Sequence, residues 1–77
     1  MTKVLIRLSS IEDVRTFVSA VLNFDYEIDL CSGRYIIDAK SIMGIFSLDL
    51  MNPIQLVAHT DQPGDLLEKI GKFIVKQ

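Results

Sequence analysis

Seventy-seven residues, 49% hydrophobic and 23% charged, leave room for one small domain over residues 1–77 and for no second core. Eight basic side chains against ten acidic ones, a formal net charge of −2 and no Trp give none of the electrostatic footprint of a nucleic-acid binder. A single cysteine, Cys31, excludes an internal disulfide and makes the cytoplasm the expected compartment.

The chain opens on Met1-Thr2-Lys3-Val4-Leu5-Ile6-Arg7. Charges flank an apolar run too short for a secretory core or a membrane span, so no membrane partner is expected. From Lys3 to Leu8, Val4, Ile6 and Leu8 fall on one side and Lys3 and Arg7 on the other, the period-two pattern of a strand that buries one face; Leu5 breaks it. Ser9-Ser10-Ile11-Glu12 follows, and a serine hydroxyl with a glutamate three residues on makes a capping box for a helix start. The helix is predicted to end near Asn23, with Ile11, Val14, Phe17, Val18, Val21 and Leu22 in one apolar stripe and Arg15 and Thr16 outward.

Phe24-Asp25-Tyr26-Glu27-Ile28-Asp29-Leu30 is apolar at every even position and acidic at every odd one, which predicts a half-buried strand over those residues. Cys31-Ser32-Gly33-Arg34 reads as a turn, because glycine tolerates positive φ, and Tyr35-Ile36-Ile37-Asp38 as the returning strand of a hairpin. Between Lys40 and Leu48 the period changes again, and Ser41 is expected to cap a short second helix that Gly44 weakens. Pro53 opens a fourth strand, Ile54 to His59, with Ile54, Leu56 and Ala58 inward and Gln55, Val57 and His59 outward. After the break at Thr60 to Gly64, Asp65 is placed to cap a last helix with Leu66, Leu67, Ile70, Phe73 and Ile74 on one face and Glu68, Lys69 and Lys72 in water.

The order βαββαβα predicts an α+β domain, an open-faced β-sandwich of four antiparallel strands with three helices on one face. On the uncovered face Asp25, Glu27 and Asp29 form an acidic row, and His59 comes near it if the fourth strand adjoins the second. One histidine and carboxylates spaced two apart lack the convergence a transition metal needs, so no metal or other cofactor is expected. Ser9 and Ser10 read as caps rather than nucleophiles, since no base lies close in sequence, and no enzymatic activity is expected. Cys31 reads as inert or as a site of adventitious oxidation.

The run Ala39-Lys40-Ser41-Ile42-Met43-Gly44, followed by two hydrophobic residues and Ser47-Leu48, resembles the regulatory-serine segment of HPr, the histidine phosphocarrier of the bacterial sugar phosphotransferase system. The resemblance extends over nearly the whole chain, since Leu22 to Gly33 looks like the family's helix end, second strand and hairpin, and the element order is the family's order. It implies the HPr-like fold. In that family the phosphoryl group travels on a histidine at the start of the first helix, in a His-Ala-Arg-Pro stretch, where this chain reads Ser9-Ser10-Ile11-Glu12. The histidine's counterpart is Ser9 or Ser10, a degenerate position, and the phosphate-holding arginine's is Ile11 or Glu12. A relay needs a phosphoryl group on an imidazole that titrates near neutrality, and a serine ester is too stable to pass its phosphate on. No phosphocarrier activity is expected.

The resemblance further implies a role for Ser41, whose family counterpart is phosphorylated by a dedicated ATP-dependent kinase as a control signal. It implies a docking surface around that serine for kinase, enzymes and a transcriptional regulator, here Lys40, Ile42, Met43 and Phe46, with Phe46 expected to be the most exposed. The bland alternatives are an unmodified helix cap at Ser41 and ordinary core at Ile42, Met43 and Phe46. Members without the histidine but with the serine act as regulators of carbon metabolism. The expected function is therefore a cytoplasmic, non-catalytic regulatory module that binds proteins, among them an HPr-type serine kinase and a regulator. The alternative, from another class, is a small-molecule-binding regulatory domain of split-βαβ type that shares only the topology.

Overall fold

The alternation read in the strands sorts their side chains onto two faces, and the pairing register carries that sorting across the sheet. In the computed structural model, which describes residues 1–75, the strands are β1 (Thr2–Ile6), β2 (Ile28–Ser32), β3 (Tyr35–Asp38) and β4 (Ile54–Ala58). They form one antiparallel sheet in the order β1-β4-β2-β3. Val4, Leu56, Leu30 and Ile37 make one row across all four strands. That row joins Ile6, Ile28 and Ile54 in a single apolar cluster with Val14, Phe17 and Val21 of α1 (Ile11–Val21), Ile45 of α2 (Ile42–Phe46) and Leu66 of α3 (Gly64–Lys69). All three helices therefore cover one face of the sheet, which gives the open-faced sandwich. Phe17, fully buried on α1, meets Phe73 edge to face at 5.9 Å and 81° and so ties the first helix to the chain's end.

On the open face the rows are Leu5, Gln55, Cys31 and Ile36, and next to it Lys3, Val57, Asp29 and Asp38. Val57 points outward as expected, yet only 8% of its surface is exposed. The hairpin loop is shorter than the four residues expected: Ser32 pairs with Tyr35, so Gly33 and Arg34 alone turn the chain and Cys31 and Ser32 belong to β2. Gly33 sits at φ +59 and Arg34 does not share the positive φ, the pattern of a II′ turn that matches the twist of the two strands.

Several boundaries differ from the sequence reading, each for a traceable reason. The perfect alternation from Phe24 to Leu30 becomes a strand only at Ile28, because the carbonyls of Phe24 and Tyr26 accept hydrogen bonds from the Lys40 ammonium at 2.6 and 3.1 Å. Phe24 and Tyr26 still turn inward, packing on the core and on each other at 5.7 Å, so burial alternates where the ladder does not. The capping box at α1 is shifted by one residue. Ser10 Oγ accepts from the Asp13 amide and Asp13 Oδ2 accepts from the Ser9 amide, both at 3.0 Å, while Glu12 takes no part. The last helix is capped by Pro63 without a side-chain bond, not by Asp65, and ends at Lys69. A single 3₁₀ turn, Gly71–Phe73, follows, and then the chain extends. Ile74 forms a bridge with Ile6, the Arg7 amide donates to the Phe73 carbonyl and the Val75 amide to the Leu5 carbonyl, each at 2.8 Å. This segment covers the outer edge of β1, which accounts for half-buried Leu5, the residue that breaks the alternation.

Candidate functional site

The sequence points to two helix starts and one histidine, and the structure keeps the histidine apart from either. At α1, Ser10 has the extended backbone of a cap, φ −151 and ψ 167, and its hydroxyl and the Asp13 carboxylate satisfy each other's neighbouring amides. Ser9 and Ser10 are exposed, but Glu12 and Asp13 already place negative charge on the positive end of the helix. A shallow solvent-open cleft beside this turn is lined by Arg7, Ser9, Asp13 and Lys72. His59 stands past the end of β4. Its amide donates to the Glu27 carbonyl at 2.9 Å, and its Nε2 lies 2.8 Å from Asp29 Oδ2, because β4 does adjoin β2.

At α2, Ser41 is an exposed N-cap with φ −99 and ψ 102, and its hydroxyl accepts from the Gly44 amide at 3.2 Å. A Cβ on Gly44 would come within 3.1 Å of Ser41 Oγ and 3.4 Å of Ile37 Cδ1, so the residue that weakens the helix by propensity also gives the cap hydroxyl close room. Ile45, one residue on, anchors the helix in the core, and Ile42 packs half-buried against it. Met43 and Phe46, three residues apart and so neighbours on the helix surface, are 76% and 41% exposed; Met43, not Phe46, is the more open of the two. Met51, just past the helix, is 83% exposed, and nothing in its local pattern singled it out.

Lys40 does not belong with this surface. Its ammonium is held by the Phe24 and Tyr26 carbonyls, and its amide donates to Asp38 Oδ1 at 2.9 Å. It pins the loop before β2 to the start of α2, a role that sequence could not show because the partners are backbone carbonyls. The acidic row is open to water at Asp25 and Glu27, and the Asp65 and Asp25 carboxylates add to burial in raising the Tyr26 phenol above its usual 10.0. Among the described residues no three His, Cys, Asp or Glu side chains converge on a metal position. Among the described residues no helix is long and apolar enough to cross a membrane.

An antiparallel sheet in the order β1-β4-β2-β3 with its helices on one face is the HPr-like fold, and this chain has it. It is similar to the crystal structure of HPr-C-His from Thermoanaerobacter tengcongensis, with a TM-score of 0.78 and 25% identity over 94% of this chain and 89% of that one. No protein-family model matches the sequence, and no curated protein matches it.

Proposed function

We propose that this chain is a non-catalytic, phosphotransferase-related protein that relays no phosphoryl group, binds other proteins through α2, and is regulated by phosphorylation of Ser41. The observation that carries the reading is the build of α2: an exposed serine hydroxyl opens the helix, and Met43 and Phe46 stand uncovered beside it. Methionine suits such a surface because its unbranched, polarizable chain adapts to more than one partner. The relay is set aside on chemical grounds. The histidine, His59, is tied to Asp29 at the far end of a strand, and the start of α1 offers hydroxyls and two carboxylates where a phosphoryl group needs imidazole and positive charge.

A phosphate on Ser41 meets no acidic residue in the first turn of its helix. The amides of Ile42 and Met43, free at a helix start, are its nearest donors. Lys40 contributes only if it leaves its two carbonyls. The partners in this reading are an HPr-type serine kinase and a regulator in the cytoplasm. Incubation with such a kinase and ATP, followed by intact mass, is expected to add one phosphate that Ser41→Ala abolishes. Incubation with the first enzyme of the phosphotransferase system and phosphoenolpyruvate is expected to add none. An acid-labile phosphate, lost in His59→Asn, overturns the non-carrier reading; failure of the kinase on wild-type chain overturns the role of Ser41.

A further inference from the structure

The two outer edges of the sheet are finished differently. The edge of β1 is covered from Leu5 to Arg7 by Phe73, Ile74 and Val75, whereas among the described residues no strand or bridge pairs with the outer edge of β3. Ser32 and Tyr35 flank a two-residue loop, and the Ala39 amide donates to the Ile28 carbonyl at 2.8 Å, so the odd-numbered residues of β3 turn their backbone groups toward β2. Within the strand, the amides and carbonyls of Ile36 and Asp38 therefore point away from the sheet. Among the described residues the one backbone bond they take from beyond it is the Ser41 amide on the Asp38 carbonyl. Tyr35 and Ile36 are each 70% exposed. Soluble proteins guard such an edge with Lys, Pro, a bulge, a covering segment or a very short strand with charges; the strand Tyr35–Asp38 has only its four-residue length and the Asp38 charge.

We infer that β3 is a self-association edge, at which two copies of this chain pair antiparallel about a two-fold axis through Ile36 and merge their sheets into one. The strand is complementary to itself in that register. Ile36 meets the partner's Ile36, Tyr35 meets the partner's Ile37, and Arg34 meets the partner's Asp38 at both ends of the contact. Ile36, whose amide and carbonyl both point outward, exchanges bonds with the partner's Ile36 as a hydrogen-bonded pair, while Arg34 and Asp38 meet through their side chains. A slip of one residue breaks that phase, and a slip of two sets a charge against Ile36.

Charge selects the same arrangement. Asp38 lies directly opposite Asp29 across the hairpin, an unfavourable like-charge pair. The two ion pairs among the described residues, Met1–Asp61 and His59–Asp29, include neither Asp38 nor Arg34. The partner's Arg34 supplies the cation that Asp38 lacks. Because the β1 edge is covered from Leu5 to Arg7 and carries Lys3 on the rest, an edge guard that β3 lacks, pairing through β3 closes at two rather than running into a filament.

Sedimentation equilibrium of the whole chain across a wide concentration range at low salt tests this. A reversible monomer–dimer equilibrium is expected. Arg34→Asp sets like charges opposite each other at both ends and is expected to weaken it about tenfold. Ile36→Lys is expected to weaken it as well, and Arg34→Asp with Asp38→Arg to restore it. All of these positions are exposed, and a circular dichroism melt checks the fold of each variant. Independently of any variant, hydrogen exchange at the Ile36 amide is expected to slow as wild-type concentration rises. A chain that stays monomeric, or a dimer indifferent to Arg34→Asp and Ile36→Lys with an unprotected Ile36 amide, overturns the proposal.

Discussion

Helices α1 and α2 begin in the same way and are built for different ends. Each opens on an exposed serine whose hydroxyl accepts from the amide three residues on, at 3.0 Å for Ser10 and 3.2 Å for Ser41. From there they diverge. α1 runs for 11 residues, buries Val14, Phe17, Val18, Ala20 and Val21, and fills its positive end with Glu12 and Asp13. α2 runs for 5, fully buries Ile45 alone, carries no acid in its first turn and leaves Met43 and Phe46 to solvent. A serine cap thus says where a helix starts and nothing of what it is for; the buried face and the first-turn charges decide that. α1 anchors the domain, whereas α2 displays a surface.

Mutations can break that contrast, and the largest expected effect falls on α1. Phe17→Ala leaves a cavity and removes the edge-to-face contact with Phe73, a loss of about 3–5 kcal/mol in urea unfolding. A domain of this size holds only about 4–11 kcal/mol in total, so the variant sits near the unfolding threshold at ordinary temperature. The caps come next. Ser10→Ala strips the Asp13 amide of its partner at the head of a long buried helix, and about 1 kcal/mol is expected from denaturant melts. Ser41→Ala acts on a short exposed helix and should cost about half as much or less. If Ser41→Ala proves the costlier of the two, α2 is as much an anchor as α1 and the contrast fails.

Much of this contrast was legible in the sequence. The stripe from Val14 to Val21 and the serines before α1 and α2 were plain from spacing, and the four antiparallel strands with helices on one face followed from the order of elements, while the order of strands within the sheet did not. What escaped reading has a common physical origin, which is bonding to groups that have no letter in the sequence. Lys40 looked like a free cation beside Ser41, but backbone carbonyls of Phe24 and Tyr26 claim it. The same two bonds delay β2 to Ile28 despite unbroken alternation from Phe24. The chain after Lys69 kept a helical spacing of apolar residues, yet its backbone turns to satisfy Leu5 and Arg7 on the edge of β1. Met51 owes its exposure to its place in a turn after α2, and periodicity has nothing to say about a single residue outside an element.

On the display side the expected stability changes are small. Met43→Ser alters a side chain that packs little, and the midpoint of denaturant unfolding should move by no more than about 0.5 kcal/mol equivalent. If α2 is the docking surface proposed above, binding of an HPr-type serine kinase, measured by titration calorimetry, should fall clearly in the same variant. A Met43→Ser chain that loses stability but keeps its partner reverses the assignment of α2.

The smallest effect sharpens the picture at the segment that joins α1 to β2. Tyr26 lies half-buried there, its carbonyl on the Lys40 ammonium, and its phenol is raised above 10.0 first by burial and then by the Asp65 and Asp25 carboxylates. The folded state disfavours the phenolate, so the unfolded chain loses that proton more readily. The stabilising contribution is therefore whole below pH 10 and is lost as pH climbs through the raised folded value. Other groups titrate in that range, and Tyr26→Phe separates them: its melting temperature should decline less steeply than that of wild type at alkaline pH, with the two curves parallel near neutrality. Parallel curves throughout would mean that water reaches the phenol freely.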